Sequence, residues 1–306
     1  MLHVAVPDQG LTDASAFVDA GVGVEFTVWT PGEPAPAAPF DLLVLPYMLP
    51  AAELRHLPAG LARVLQSQSL GYDGVAGYLP PGFVFCNAPG VHEASTAELA
   101  VGLIIADRRG FPGFGAAQLE RRWAHTAEPG LAGSRVLLLG AGGVGDQLRL
   151  MLEPFQVDLI RVARTARRDE HGPIHAMADL RQLLPTADVV VVAVPLTDQT
   201  KGLVSDDFLA AMKDGALLVN VARGPVADTA ALLAHTAKGR LHAALDVTDP
   251  EPLPDDHPLW SAPNVIITPH VGGHVGAMIP RMRRVIRTQV DRLAAGLPPA
   301  NVVVST

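Results

Sequence analysis

Three polar residues stand just past apolar runs that read as buried strands. Arg223 ends Val219-Asn220-Val221-Ala222-Arg223, with Gly224 after it. Glu251 follows Leu245-Asp246 in a Pro-rich loop, and His270 follows Ile266-Ile267-Thr268-Pro269. In open parallel sheets, positions just beyond strand carboxyl ends border the ligand crevice. A guanidinium can hold a carboxylate through two parallel hydrogen bonds. An imidazole can protonate a forming alkoxide near neutral pH. A carboxylate beside that imidazole stabilises its charged form and fixes its orientation. Given a hydride source, these groups could reduce a 2-keto acid to a 2-hydroxy acid. Taken singly, each has a plainer reading: a structural His, a surface or capping Arg, a surface Glu.

The hydride source is indicated by Val136-Leu137-Leu138-Leu139-Gly140-Ala141-Gly142-Gly143-Val144-Gly145. A strand runs into Gly-x-Gly-x-x-Gly and then into a predicted helix at Asp146–Glu153. Gly140 permits the tight turn, Gly142 lets a pyrophosphate approach the backbone, and Gly145 lets helix and strand pack closely. The helix N-terminus attracts the phosphates. This predicts a nicotinamide dinucleotide. NAD sites place Asp or Glu at the end of the next strand, on the ribose 2′-hydroxyl. Here Leu159-Ile160-Arg161-Val162-Ala163 leads into Arg164-Thr165-Ala166-Arg167-Arg168 with no carboxylate. Guanidinium and hydroxyl groups suit a 2′-phosphate, so NADP is favoured over NAD. The plain alternative is a solvated turn in an Arg-rich chain, which carries 20 Arg against 3 Lys.

These residues need a scaffold. The chain has 306 residues, 49% of them hydrophobic and 18% charged, enough for two domains with real cores. No apolar run is long enough to span a bilayer, and the N-terminus reads as a first strand rather than a signal peptide. A net charge of −8 argues against a nucleic-acid partner. The single cysteine, Cys86, excludes an internal disulfide and a Cys-based metal cluster, so no metal is expected, and it suits a reducing cytoplasm.

Short apolar runs at His3–Pro7, Val22–Trp29, Leu42–Pro46, Ala62–Gln66 and Phe83–Asn87 read as strands. Asp13–Ala20, Ala51–Leu57 and Gly74–Tyr78 read as helical crossovers, and Thr30–Pro39 as a loop. Ser95 or Thr96 is predicted to cap a helix running to Arg109, followed by a Gly/Pro-rich break at Gly110–Gly115. A second strand–helix series begins at Arg135, with strands near Val136, Leu159, Val189, Leu217, Ala243 and Val265. A last helix covers Pro280–Ala295. Strands alternating with helices predict an α/β protein of two doubly wound parallel sheets, one inserted within the other.

The ordered set Gly140-x-Gly142-x-x-Gly145, Asn220-Val-Ala-Arg223-Gly, Asp246-Val-Thr-Asp-Pro-Glu251-Pro-Leu and Pro269-His270-Val-Gly-Gly resembles the D-isomer-specific 2-hydroxyacid dehydrogenases. Ser69-Leu70-Gly71-Tyr72-Asp73 and Ser95-Thr96-Ala97-Glu98 are similar to that family too, so the resemblance covers nearly the whole chain. In motif it is nearest the NADPH-using glyoxylate/hydroxypyruvate reductases. The resemblance implies a flavodoxin-like substrate domain, residues 1–96 with 277–306, and a Rossmann domain, residues 97–276. A cleft between them would close on substrate. It implies that Arg223 binds the substrate carboxylate and carbonyl, with His270 the acid/base and Glu251 its partner. Amides around Leu70 and Gly71 would hold the carboxylate, with Tyr47 on the substrate wall. Thr96 and Asp246 would contact the nicotinamide end. Gly143 and Val144 would touch the pyrophosphate, and Val194 and Pro195 the adenosine side. Val221, Ala222, Gly272 and Gly273 would complete the cofactor site, with Arg164, Thr165 and Arg167 on the ribose phosphate. A homodimer through the arm at Gly110–Leu131 is also implied.

There are departures. Phosphoglycerate dehydrogenases carry an Arg near Leu43-Val-Leu-Pro46-Tyr47-Met48. Here there is none, and no C-terminal regulatory domain is expected after Asn301, which points to an unphosphorylated substrate. His274 and Val275 stand where many relatives have Ala and Thr, and His274 is expected to face solvent rather than a cleft. Formate dehydrogenase pairs its His with Gln, so Glu251 speaks against that activity. Two alternatives remain open: a phosphoglycerate- or formate-type dehydrogenase, and a non-catalytic dinucleotide-sensing protein on the same fold.

Overall fold

The computed structural model describes residues 1–12, 23–34, 36 and 38–306. The chain forms two compact units: residues 1–92 with 274–306, and residues 93–273. The crossover expected at Asp13–Ala20 lies outside the described residues.

In the first unit, β1 (Leu2–Val6), β2 (Val24–Val28), β3 (Phe40–Val44), β4 (Ala62–Gln66) and β5 (Val84–Cys86) pair in parallel in the order β2-β1-β3-β4-β5. This is the flavodoxin-like order. Alternation along the inner strands β1, β3 and β4 buries both faces. Val4, Val6, Leu42 and Val44 meet Met282, Ile286 and Val290 of the C-terminal helix Met278–Ala294. Ala5, Leu43 and Leu65 meet Leu54, Val75 and Leu79 on the other face. The predicted helix at Ala51–Leu57 is a 3-10 turn, Ala51–His56, and the short helix α1 covers Val75–Tyr78.

The second unit opens with α2 (Glu93–Arg108) and α3 (Phe111–Leu119). Two corrections follow. The helix starts at Glu93, so Ser95 and Thr96 lie inside it and not at the position before its first residue. Gly110–Gly115 is no break, because Gly110, at φ 65°, starts a second helix with Pro112 in its first turn, where a missing N–H costs nothing.

Then come β6 (Arg135–Leu139), α4 (Gly143–Leu152), β7 (Asp158–Ala163), β8 (Arg167–Asp169), β9 (Gly172–Ala176), α5 (Leu180–Leu183) and β10 (Val189–Val192). After them run α6 (Asp206–Ala211), β11 (Leu217–Asn220), α7 (Thr229–Ala237), β12 (His242–Leu245) and β13 (Val265–Ile267). The sheet order is β13-β12-β11-β10-β6-β7-β9-β8, a Rossmann arrangement extended at both edges. One face packs on α2 and α4, the other on α6 and α7. The C-terminal helix of the first unit is α8, and the last strand is β14 (Val302–Ser305).

Neither sheet is purely parallel. β14 runs antiparallel to β5, and β8 runs antiparallel to β9. Both are short edge strands, and β8 is fully exposed, so no apolar pattern marked it.

Candidate active site

In the second unit each residue expected to do chemistry follows the carboxyl end of a parallel strand. The turn after β6 is built on glycines for steric reasons. A Cβ on Gly140, at φ 114°, would lie 2.3 Å from the Ala193 carbonyl oxygen, and one on Gly145 would lie 2.0 Å from that of Gly140. A Cβ on Gly142 would meet nothing within 4 Å. The turn is therefore tight on its protein side and open on its outer side. Helix α4 begins there, so its first N–H groups, at Gly143, Val144 and Gly145, point outward without intrahelical partners. This cradle fits the pyrophosphate of a dinucleotide.

At the end of β11, Asn220 is buried and braces the loop that follows. Its side-chain oxygen accepts from Ala222 N–H at 3.1 Å, and its amide donates to the Arg223 carbonyl at 3.1 Å. Sequence reasoning quoted Asn220 but gave it no role, although Asn ending an apolar run is a turn signal. Arg223 adopts extended backbone and donates from Nη1 to the Ala222 carbonyl at 2.7 Å. A Cβ at Gly224 would lie 1.8 Å from the Thr248 carbonyl oxygen, so only glycine lets this loop pack on the loop that carries Glu251.

His270 Nδ1 and Glu251 Oε1 are 2.5 Å apart. Burial works to raise the Glu251 carboxyl, but the hydrogen bond and charge of His270, the Thr248 backbone and the Arg223 charge outweigh it. The carboxyl is held below its ordinary range. An ionised carboxylate only accepts, so Nδ1 carries the hydrogen and Nε2 is the nitrogen left for exchange. His270 sits at φ 52°, a costly position for a residue with a Cβ. It is held there by bonds from its N–H to the carbonyls of Asp246 (2.8 Å) and Thr268 (3.0 Å).

Asp246 is buried and organises the same turn. Its carboxylate accepts from Val271 N–H, Gly272 N–H and the Thr268 hydroxyl, at 2.9, 3.0 and 2.7 Å. A Cβ on Gly272 would crowd Asp246 Oδ2 at 2.9 Å and Thr96 Oγ1 at 3.4 Å, so Thr96, Asp246 and Gly272 converge. Gly273 is buried beside them. Val194, Val221 and Ala222 are buried and Pro195 is exposed. Arg164 and Thr165 are exposed in the turn after β7, and Arg167 Nη2 donates to the Ala141 carbonyl at 3.3 Å, tying β8 to the glycine turn.

In the first unit, Leu70 and Gly71 follow β4, and Tyr47 follows the neighbouring β3. The Leu70 carbonyl accepts from Asn87 Nδ2 at 2.8 Å, and Gln68 Nε2 donates to Leu45 O at 2.9 Å, linking the two loops. The Tyr47 ring stacks on His92 at 5.3 Å and meets the exposed His274 at 5.7 Å.

Residues 101–272 match the family described as D-isomer specific 2-hydroxyacid dehydrogenase, NAD binding domain. The chain is 33% identical over 286 residues to the human glyoxylate reductase/hydroxypyruvate reductase, covering 87% of this chain and 86% of that one. It is 32% identical over 226 residues to the D-3-phosphoglycerate dehydrogenase of Archaeoglobus fulgidus, covering 72% of this chain and 43% of that one. Among solved structures, a D-isomer-specific 2-hydroxyacid dehydrogenase from Xanthobacter autotrophicus, in complex with NADPH and MES, superposes with a TM-score of 0.79. It is 29% identical and matches 99% of this chain and 98% of that one. The chain belongs to the D-isomer-specific 2-hydroxyacid dehydrogenases and is an NAD(P)-dependent oxidoreductase.

Proposed function

We propose that this enzyme reduces a small unphosphorylated 2-keto acid, of the glyoxylate or hydroxypyruvate kind, to the D-2-hydroxy acid with NADPH. The observation that carries this reading is the end of β7. Ala163 is followed by exposed Arg164 and Thr165, with Arg167 at the start of β8 and no carboxylate in the ribose-binding position. Cations and a hydroxyl there favour a 2′-phosphate. The NADPH bound in the Xanthobacter relative agrees with it.

When bound, the nicotinamide supplies the hydride. Arg223 holds the substrate carboxylate and polarises its carbonyl. Leu70 and Gly71 amides hold the carboxylate further, and Tyr47 borders the substrate. His270 gives a proton from Nε2 to the developing alkoxide, and Glu251 stabilises the imidazolium and fixes the ring. Gly143 and Val144 bind the pyrophosphate. Val194 and Pro195 lie on the adenosine side, and Thr96, Val221, Ala222, Asp246, Gly272 and Gly273 on the nicotinamide side. The absence of an Arg beside Tyr47 supports an unphosphorylated substrate.

We further infer a cytoplasmic homodimer joined through residues 110–131. Phe111, Leu119 and Trp123 are 54%, 88% and 95% exposed there, large apolar side chains that a partner surface would cover. No helix among the described residues is long and apolar enough to cross a membrane.

The test is turnover of NADPH and NADH with glyoxylate, hydroxypyruvate, pyruvate, phenylpyruvate and 3-phosphohydroxypyruvate. Fastest NADPH oxidation with glyoxylate or hydroxypyruvate is expected. A preference for the phosphorylated acid or for NADH would overturn the finer assignment, and no turnover at all would favour a non-catalytic dinucleotide-binding role.

A further inference from the structure

Strand β7 lies inside the sheet and is buried at its carboxyl half, yet it carries a charge in its middle. Arg161 is on the face covered by α4, with its side chain 4% exposed. Both terminal nitrogens of the guanidinium bond the Asp169 carboxylate, Nη1 to Oδ2 and Nη2 to Oδ1, each at 2.7 Å. Nη2 also donates to the Gly172 carbonyl at 3.1 Å. Asp169 is the last residue of β8, the exposed edge strand that begins at Arg167.

β8 has no apolar residue to fix its place. Its three residues are Arg167, Arg168 and Asp169, held by the ladder to β9 and by this ion pair. Such a pair adds little net stability compared with apolar packing, but its fork geometry specifies one arrangement. Strand alternation puts Arg167 on the same face as Asp169, about 7 Å away along the strand. The Arg167 guanidinium reaches back to Ala141 of the glycine turn. One end of β8 is therefore anchored to the cofactor turn and the other to β7. The pair also engages the carboxylate nearest in sequence to Arg164 and Thr165, and the Arg161 hydrogen bonds hold the Asp169 carboxyl far below its ordinary range.

We propose that Arg161 and Asp169 are positioning residues for cofactor choice. The pair sets β8 so that Arg167 stands beside the glycine turn, and it keeps the Asp169 carboxylate turned toward β7, where it does not repel a ribose 2′-phosphate. This rests on the NADPH reading above and adds a residue pair to it. Asp169 is a carboxylate of the kind that NAD sites place after this strand, displaced several residues along the chain and neutralised by a buried Arg.

The experiment measures dissociation constants for NADPH and NADH, by quenching of protein fluorescence, in the unaltered enzyme and in Arg161→Met, Arg161→Lys and Arg161→Met/Asp169→Asn. In Arg161→Met we expect NADPH binding to weaken about tenfold or more, while NADH binding changes less than about twofold. Adding Asp169→Asn should recover part of the NADPH affinity, because the freed carboxylate is gone. Lys keeps a cation without the fork, so Arg161→Lys should fall between and serves if the Met variant does not fold. Parallel weakening of both cofactors with a lower melting temperature would make the pair a fold brace only and overturn the proposal. An unchanged NADPH-to-NADH ratio would overturn it too. An NADH preference in the unaltered enzyme would overturn the cofactor reading itself, and the unaltered protein alone reveals that outcome.

Discussion

Glu251 Oε1 accepts the hydrogen of His270 Nδ1 across 2.5 Å, between residues 19 positions apart in sequence. Two loops make this contact, and neither is regular. The Glu251 loop is seated by Gly224 against Thr248, and the His270 turn is held at φ 52° by Asp246 and Thr268. The geometry leaves Nε2 as the ring nitrogen available for proton exchange.

His270→Ala should lower kcat by about 10²–10⁴-fold, the usual worth of a positioned acid/base, with NADPH binding near normal. Glu251→Gln should lower kcat less than His270→Ala, because an amide oxygen can still accept from Nδ1 but brings no charge. Stopped-flow or steady-state rates of the two variants check this. An unchanged kcat in Glu251→Gln would remove Glu251 from its role.

Arg223→Lys keeps the charge but loses the fork. Both KM for the keto acid and kcat should suffer, because in the proposed mechanism the same guanidinium holds the ground-state carboxylate and the reacting carbonyl. A change in KM alone would confine Arg223 to binding.

Gly142 and Gly145 of the cofactor turn should separate folding from binding. Gly145→Ala places a Cβ 2.0 Å from the Gly140 carbonyl and should cost about 1–3 kcal/mol of stability as well as cofactor affinity. Gly142→Ala meets open space, so the melting temperature should hold within the scatter of surface changes while dinucleotide affinity falls. Calorimetry and cofactor titration on both variants test the pair.

Asp188, just before β10, accepts from Arg135 N–H at 2.8 Å and pairs with Lys213. Burial raises its carboxyl, but these partners outweigh burial and hold it below the ordinary value. A carboxyl lowered on folding adds stability that is full above its unfolded pKa, about 3.9, and is lost as pH falls through the folded value. Asp188→Asn should therefore flatten the acid side of the melting-temperature curve while leaving the activity at neutral pH intact. An identical acid slope in the variant would refute the contribution.

Periodicity and punctuation made much of this protein legible from its residues. Runs such as Val189–Val192 are apolar on both faces because both faces of an interior parallel strand are covered. The glycine turn was readable because steric exclusion acts within a few residues. The positions of Arg223, Glu251 and His270 were readable because each stands in the loop after a parallel strand. Edges and caps escaped. β8 is exposed along its length and has no apolar residue, β14 is a half-buried edge strand of four residues after the last helix, and α2 starts at Glu93, ahead of the Ser and Thr that suggested a cap. Tertiary structure alone decided the pairings over distance. It alone set the bidentate hold of Arg161 on Asp169, the reach of Arg167 to Ala141, the grip of Asp246 on the His270 turn and the 2.5 Å contact of Glu251 with His270. Sequence fixes residue types and local periodicity, whereas a hydrogen bond between separate loops depends on how the whole sheet orders its strands.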